Sequence, residues 1–494
     1  MEKQTHGGQE ININTLIDDF SVTTNYLGPC KNALEHIRSN INLISHYPKL
    51  DQEPFKRNMI DFLFKNVKNK HDYVLFGNGA SELIEMIIRS VSSLSSRKLY
   101  YVEDVQYMEY ERACILNNGI KTTNIIEADI VCIVNPCNPT GDYKCITDIL
   151  HIMNTLKPNT TVIIDESMQP WIGEDFRKDS MISQYEFIKN IWNEKQIRIY
   201  IIHSWTKFFC CPGLRIGTVI CPENISYNTN LYNQIPWNCN ILALEYMDIC
   251  IKDDYYMKKT WETTTLLRNT QQNIIQNIFP EWIINGKEFL SWFWIELPNE
   301  KLAEKIYTIS TQANMPIRWG KYGYNKPKYI RVAVREICNF EKLIDLWKQH
   351  LFFPEMLNLH IQYKMIKVCD LKSHELIDKS ASDKLYSYLD ALEYKIIPSI
   401  IIDSSTNIII DGHHRVDVIK RFNIQTINVL AIDYMNPNNG IIVHPNNLTI
   451  TKEDVIDAGL SGNLLPVKST KHVIQYNQNQ TYLPIISLSK IITL

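Results

Sequence analysis

Between residues 70 and 220, short fully apolar runs alternate with segments of helical period. The runs are DYVLF, KLYYVED, ADIVCIVNP, TVIIDES, IRIYIIHS and RIGTVICP, and SELIEMIIRSV is the first intervening helix. Short runs that are apolar on both sides, separated by helices, predict a buried, mainly parallel sheet covered on both faces. That is α/β architecture. From about 240 the period turns helical, through LALEYMDICIKD and LLRNTQQNIIQNIF, and FLSWFWIEL, PIRWG and YIRVAVR then follow as strands of a smaller lobe, closed by the helix NFEKLIDLWKQHL. The pattern predicts a first domain over 1–352, a linker over 353–363 and a second domain over 364–494. In the second, SDKLYSYLDALEY reads as an amphipathic helix, IPSIIIDSSTNIIIDG as a strand hairpin and HHRVDVIKRF as a helix starting at its histidines.

A chain of 494 residues exceeds one ordinary core, which supports the division. The net charge of -3, with 21% charged residues, gives no reason to expect nucleic acid. No apolar run is long enough to span a bilayer and the start is polar, so the expectation is a cytoplasmic protein without a membrane partner. The twelve cysteines run from Cys30 to Cys369 without a framework spacing, which predicts reduced thiols; Cys132, Cys137 and Cys145 lack metal-ligand spacing.

Four local patterns carry chemistry. Gly77-Asn78-Gly79-Ala80-Ser81 follows a strand and opens a helix, a corner that can turn backbone N–H groups toward a phosphate. Asn135-Pro136-Cys137-Asn138-Pro139-Thr140-Gly141 lies at the carboxyl end of a buried strand, where α/β sheets place ligands. Asp165 ends the next strand, and a buried carboxylate there needs a positive partner. Ser204-Trp205-Thr206-Lys207 puts a lysine just after a buried strand, where a depressed pKa suits covalent chemistry, with Arg215 eight residues on.

Together these residues resemble the fold-type I aminotransferase family over nearly all of residues 1–350. The resemblance implies a large and a small lobe, a homodimer, and pyridoxal phosphate bound covalently by Lys207. It gives Asp165 to the pyridine nitrogen, Asn138 to the ring hydroxyl and Tyr107 to ring stacking. Ala80, Ser81, Ser204 and Arg215 would hold the cofactor phosphate, with Tyr47 reaching over from a dimer partner. Within the family, His6-Gly7-Gly8, Phe20-Ser21 with Asn25-Tyr26-Leu27-Gly28, Gln234-Ile235-Pro236-Trp237-Asn238 and the YIRVAVR strand resemble the threonine-phosphate decarboxylase subgroup, a cousin of histidinol-phosphate aminotransferase. Thr23 stands where that subgroup usually has Asn. Arg331 and Arg335 are four apart on an expected strand and so share a face; they and Arg318, His6 and Asn25 are the implied substrate residues.

The tail carries a second constellation. Asp411-Gly412-His413-His414-Arg415 is a strand, a glycine turn and a helix start, an arrangement that suits anions. Ser373-His374-Glu375 lies upstream and Lys468-Ser469-Thr470-Lys471-His472 downstream. The set resembles the ParB and sulfiredoxin-like fold, an α+β domain, and most closely its free-amino-acid kinases. The resemblance implies Glu375 as base, Asp411 for Mg2+, and Gly412, His413, His414, Arg415, Lys468, Ser469, Thr470 and His472 around ATP or ADP. No GxxxxGK[ST] loop occurs, so a kinase here is not of the P-loop type. The joint expectation is an enzyme that phosphorylates L-threonine or L-serine and decarboxylates the O-phosphate. The alternatives are an aminotransferase of a phosphorylated amino acid with a regulatory nucleotide-binding tail, and, for the tail, a DNA-binding role that its lack of a dense basic run disfavours.

Overall fold

The computed structural model describes residues 7–8, 17–68, 73–92, 98–222, 224–352, 361–391, 395–437, 439–445, 450–476, 481–489 and 491–494. Two compact units emerge: residues 1–271 with 283–336, and residues 272–282 with 337–494.

In the first unit, strands β1 (Val74–Gly77), β2 (Leu99–Val102), β3 (Ile120–Lys121), β4 (Ile130–Val134), β5 (Thr161–Asp165), β6 (Arg198–Ser204) and β7 (Gly217–Ile220) form one sheet. Its order is β1-β7-β6-β5-β4-β2-β3. The apolar runs are buried on both sides because alternate residues face different cores: Val131, Ile133, Val162 and Ile164 join one cluster, and Ile130, Cys132, Val134 and Ile163 the other. Strand β7 departs from the parallel expectation, pairing antiparallel with both β1 and β6. Its connection from β6 holds only a short helix, Trp205–Phe208, instead of a full crossover. The carboxyl ends of β4, β5 and β6 therefore deliver the Asn135 loop, Asp165 and the Lys207 turn to one edge of the sheet. A second, antiparallel sheet follows the order β10-β11-β9-β8, with β8 (Ile283–Asn285), β9 (Trp292–Glu296), β10 (Arg318–Trp319) and β11 (Tyr329–Ala333).

The second unit takes in the helix Ile337–Phe352, which the sequence pattern assigns to the first domain. Aromatic packing accounts for this: Phe279 and Trp282 stack at 4.1 Å, and Trp347 lies 5.6 Å from Trp282. Of the expected linker, residues 353–360 lie outside the described residues, and 361–363 already belong to strand β12 (Ile361–Lys367).

Five strands follow as β13 (Ile396–Pro398), β14 (Ile400–Asp403), β15 (Ile409–Asp411), β16 (Thr426–Ile432) and β17 (Ile441–Pro445). The last three are β18 (Thr470–Tyr476), β19 (Thr481–Pro484) and β20 (Ile491–Thr493). The main sheet runs β12-β16-β14-β15, with β14 parallel to β16 and antiparallel to β15. The helices Lys379–Asp390 and His413–Arg421 lie side by side, with Tyr386 stacked on Phe422 at 4.7 Å and the Arg421 guanidinium over the Tyr386 ring at 3.9 Å. The hairpin and helix expected over 397–422 are present. No helix among the described residues is long and apolar enough to cross a membrane.

Candidate active sites

In the first unit, Lys207 sits in the short helix after β6, its Nζ 3.0 Å from Ser204 Oγ. Burial pulls its pKa down to about 8; Asp165 opposes that shift, while the Arg215 and Arg331 charges add to it. Asn25 braces this turn. Its backbone N–H donates to the Lys207 carbonyl at 2.9 Å, and its Nδ2 donates to Phe208 O and Thr260 Oγ1. With Oδ1 accepting from Leu27 N, the Asn25 amide is engaged on both atoms and supports the lysine instead of opening toward a substrate.

Asp165 accepts the Tyr110 hydroxyl at 2.9 Å and the Ser167 N–H at 2.8 Å. Both donors are neutral, and among the described residues no ion pair offsets this buried carboxylate. Tyr110 itself is fully buried, and burial plus the Asp165 charge pushes its pKa well up, so it stays a donor. Sequence reasoning missed it; the available signal was its place three residues after Tyr107, in the first turn of the helix Glu109–Leu116. Tyr107 packs edge-on against Tyr110 at 6.3 Å, and burial raises its pKa to about 12, partly offset by a hydrogen bond with Ser81.

The glycine corner and the arginine meet. A Cβ on Gly79, whose φ is +79°, would lie 2.3 Å from Arg215 Nη2, and one on Gly217 would lie 2.7 Å from Ala80 N. Only glycine allows the guanidinium and β7 to approach the start of the helix Ala80–Ser92 this closely. Ala80, Ser81 and Arg215 thus surround one helix N-terminus, while Ser204 serves the lysine.

The three arginines have separate fates. Arg318 and Arg331 are direct cross-strand partners on β10 and β11, both buried. Arg331 donates to the Asn138 side-chain oxygen and, at 2.5 Å, to Ser21 O. Its Nε has no partner among the described residues, and burial with the neighbouring Arg318 charge lowers its pKa. Because an arginine can only donate, the Asn138 Oδ1 must face it and the Nδ2 is left as a donor. Arg335 does not share that face: β11 ends at Ala333, and all three Arg335 guanidinium nitrogens donate to residues 18–24 or to Val334 O. The expected periodicity fails because the strand stops two residues short. Tyr47 is 79% exposed, against Trp237 at 4.7 Å. His6 lies outside the described residues.

In the second unit, Glu375, Asp411, Gly412, His413, His414, Arg415, Thr470, Lys471 and His472 line one cavity of about 370 Å3. Three segments separated by up to a hundred residues in sequence meet there, through an isolated bridge between Glu375 and Leu465 and through β15 and β18. Gly412, at φ +113°, opens the helix His413–Arg421 with no side-chain cap. Arg415 turns inward, donating to Pro398 O at 2.7 Å, Ser399 O at 3.0 Å and the Asp411 carboxylate, so its fork is occupied. Ser469 and Thr470 also face inward. Thr470 gives Glu375 Oε2 its N–H at 3.0 Å and its hydroxyl at 2.8 Å, and Ser469 Oγ is 3.4 Å away. Lys468 pairs with Asp378 at 3.2 Å, His414 Nε2 accepts the Asp378 N–H, and His472 Nε2 is 2.8 Å from Tyr434 OH. Among the described residues no three His, Cys, Asp or Glu side chains form a metal-binding group.

Residues 19–243 match the family of aminotransferase class I and II. A protein of Caldanaerobacter subterraneus provisionally assigned as a threonine-phosphate decarboxylase is 27% identical over 71% of this chain and 95% of its own. Histidinol-phosphate aminotransferase of Staphylococcus carnosus is 25% identical over 51% of this chain and 71% of its own. The crystal structure of L-threonine-O-3-phosphate decarboxylase from Porphyromonas gingivalis superposes with a TM-score of 0.56 at 20% identity, covering 67% of this chain and 98% of that one. The chain therefore contains the fold-type I aminotransferase fold.

Proposed function

We propose that the first unit uses pyridoxal phosphate to decarboxylate O-phospho-L-threonine or O-phospho-L-serine, and that the second makes this substrate by transferring phosphate from ATP or ADP to the free amino acid. The products are 1-aminopropan-2-ol phosphate, a precursor of a cobamide side chain, or ethanolamine phosphate. The residues fit the cofactor. Among the described residues Asp165 accepts hydrogen bonds only from the neutral Tyr110 hydroxyl and Ser167 N–H, which leaves room for a protonated ring nitrogen, Asn138 retains a donor for the ring hydroxyl, and Gly79 with Arg215 leaves a helix N-terminus for phosphate. When bound, the cofactor supplies an electron sink for the bond broken at the α-carbon. Lys207, with its pKa near 8, is the amine that holds it and can carry a proton at its Nζ near neutrality.

The observation that carries the substrate reading is the direct opposition of Arg318 and Arg331. The two buried arginines on paired strand positions repel one another, since the Arg318 charge lowers the Arg331 pKa, and a doubly anionic substrate relieves that repulsion where a singly charged amino acid does so only in part. Arg335 belongs to the wall that presents Arg331, and Asn25 to the support of Lys207. A homodimer with Tyr47 reaching the partner's site is supported by the exposed ring pair of Tyr47 and Trp237, 4.7 Å apart.

For the second unit, support comes from the cavity that gathers Glu375, the uncapped helix start at Gly412 and Lys471. The helix N–H groups and Lys471 would meet the nucleotide phosphates, Asp411 the Mg2+, and Glu375 the substrate hydroxyl. Ser469, Thr470 and Arg415 hold those groups in position. A ParB and sulfiredoxin-like fold is part of the same proposal.

The decarboxylase assay supplies O-phospho-L-threonine with and without a 2-oxoacid. Release of CO2 independent of the oxoacid is expected; oxoacid-dependent conversion without CO2 would make the unit an aminotransferase, the reading that the histidinol-phosphate relative favours.

A further inference from the structure

The Glu375 carboxylate is backed by a hydrogen-bond chain whose proton count does not close. His374 is fully buried, and its Nδ1 lies 2.6 Å from the Ile409 carbonyl. A carbonyl only accepts, so Nδ1 carries a hydrogen, and in the neutral ring Nε2 is an acceptor. That Nε2 lies 2.9 Å from Thr470 Oγ1, which is also 2.8 Å from Glu375 Oε2. The threonine hydroxyl has one hydrogen. With His374 neutral and Glu375 ionised, it faces two acceptors and can satisfy one.

One added proton closes the chain in either of two ways. A protonated Glu375 donates to Thr470, which donates to His374; or a protonated His374 donates to Thr470, which donates to an ionised Glu375. We propose that the Thr470 hydroxyl couples Glu375 to His374 so that the pair takes up a single proton as a unit. Resting on the kinase reading above, that proton is the one leaving the substrate hydroxyl. The substrate O–H bond breaks and the new O–P bond forms, the bond from phosphorus to the nucleotide's bridging oxygen breaks with its electron pair on that oxygen, and the hydrogen goes to Glu375 and on into the chain.

The surroundings leave His374 as the ring that can answer. His413 faces it edge-on at 4.5 Å from its own helix, and His472 at 5.6 Å from β18. Burial and neighbouring positive groups, among them His414, Arg415 and Lys452, lower both, His472 to about 3, so they stay neutral near pH 7. Burial lowers His374 as well, but the Ile409 carbonyl and the Glu375 charge oppose that shift. Among the described residues neither His413 nor His472 has a carboxylate reached through one hydroxyl. Thr470 and His374 are positioning residues here, since only Glu375 would touch the substrate.

The test uses the full-length protein with ring-15N histidine, the His374 signals being identified by their loss in His374→Gln. At pH 7.5 the wild type is expected to show His374 protonated on Nδ1 alone. Thr470→Val, which deletes the hydroxyl, should move the His374 titration midpoint by about one pH unit or more, and Thr470→Ser should bring it back. In parallel, the acid limb of kcat for phosphate transfer from ATP or ADP to L-threonine or L-serine should share the His374 midpoint, and should separate from it in Thr470→Val with a fall of at least about tenfold in kcat. A His374 ring protonated on Nε2 at pH 7.5, or a Thr470→Val protein with unaltered midpoint and limb, would overturn the coupling. A wild type that transfers no phosphate would refute the kinase reading, and the His374 titration would still decide whether the two groups are coupled.

Discussion

Lys207 and the arginines show how much of the site is decided by single side chains. At pH 7 an amine with a pKa of about 8 is roughly 300 times richer in its neutral, nucleophilic form than one at the usual 10.5. Capture of pyridoxal phosphate by the cofactor-free protein should therefore accelerate up to about pH 8 and then level off, read by visible absorbance, and Lys207→Ala should show none. A profile still rising through pH 10 would mean an ordinary surface lysine. The linkage sign agrees: between about pH 8 and 10.5 the unfolded chain holds this proton and the native one does not, so the residue's contribution to stability rises with pH across that window. Arg335 and Arg331 are expected to separate by phenotype. Arg335→Met strands the carbonyls of Asp19, Val22 and Thr24 and should cost about 3 kcal/mol, seen as a lowered Tm. Arg331→Lys loses the planar fork and should lower kcat/KM for the phosphorylated substrate by roughly 100-fold. Equal effects of both on kcat/KM with no change in Tm would return Arg335 to the substrate. At this scale the sequence named Lys207, Asp165, Asn138 and Arg215 because each stands in an ordered motif. It did not reveal the backbone partners of Arg335, Asn25 and Arg415, since a donor's partner is a property of distant backbone: residues 18–24, 208 and 398–399.

At the scale of elements, the apolar runs identified β1, β2, β4, β5, β6 and β7 by location, because strands buried on both faces leave a dense apolar signature. Direction is less visible. Strand β7 is antiparallel because the loop from β6 is occupied by the Lys207 turn, and nothing in RIGTVICP records it. The corner of Gly79 and Gly217 is where element geometry becomes binding. Gly79→Ala should weaken cofactor affinity by about tenfold or more while the chain still folds, since its Cβ meets the end of the Arg215 side chain; Gly217→Ala, whose Cβ meets the backbone of Gly79 and Ala80, should also lower Tm. Fluorescence titration with pyridoxal phosphate reads the first effect and thermal unfolding the second. An unchanged affinity in Gly79→Ala would remove Arg215 and the helix start from the phosphate site. In the antiparallel sheet of the first unit, YIRVAVR shows the reverse difficulty: alternation continues in the sequence for two residues after the strand has ended.

For the whole molecule, the two sites proposed in the two compact units predict separable losses. Asp411→Ala should remove phosphate transfer and leave the release of CO2 from added O-phospho-L-threonine unchanged, because the variant alters neither Lys207 nor the arginines. Loss of both in a folded protein would contradict the division. The sequence placed the boundary at a linker after Phe352, whereas the helix Ile337–Phe352 joins the second unit through Trp347, a tertiary aromatic contact that local pattern does not reveal. Under the proposed function, one chain converts a free hydroxy amino acid into a phosphorylated amine. The most direct measurement incubates the full-length protein with pyridoxal phosphate, Mg2+, ATP or ADP and carboxyl-labelled L-threonine or L-serine. Labelled CO2 appearing in equal amount with 1-aminopropan-2-ol phosphate or ethanolamine phosphate, and only when nucleotide is present, is the predicted result. CO2 released from the free amino acid without nucleotide, or no CO2 from either amino acid with both nucleotides supplied, would contradict it.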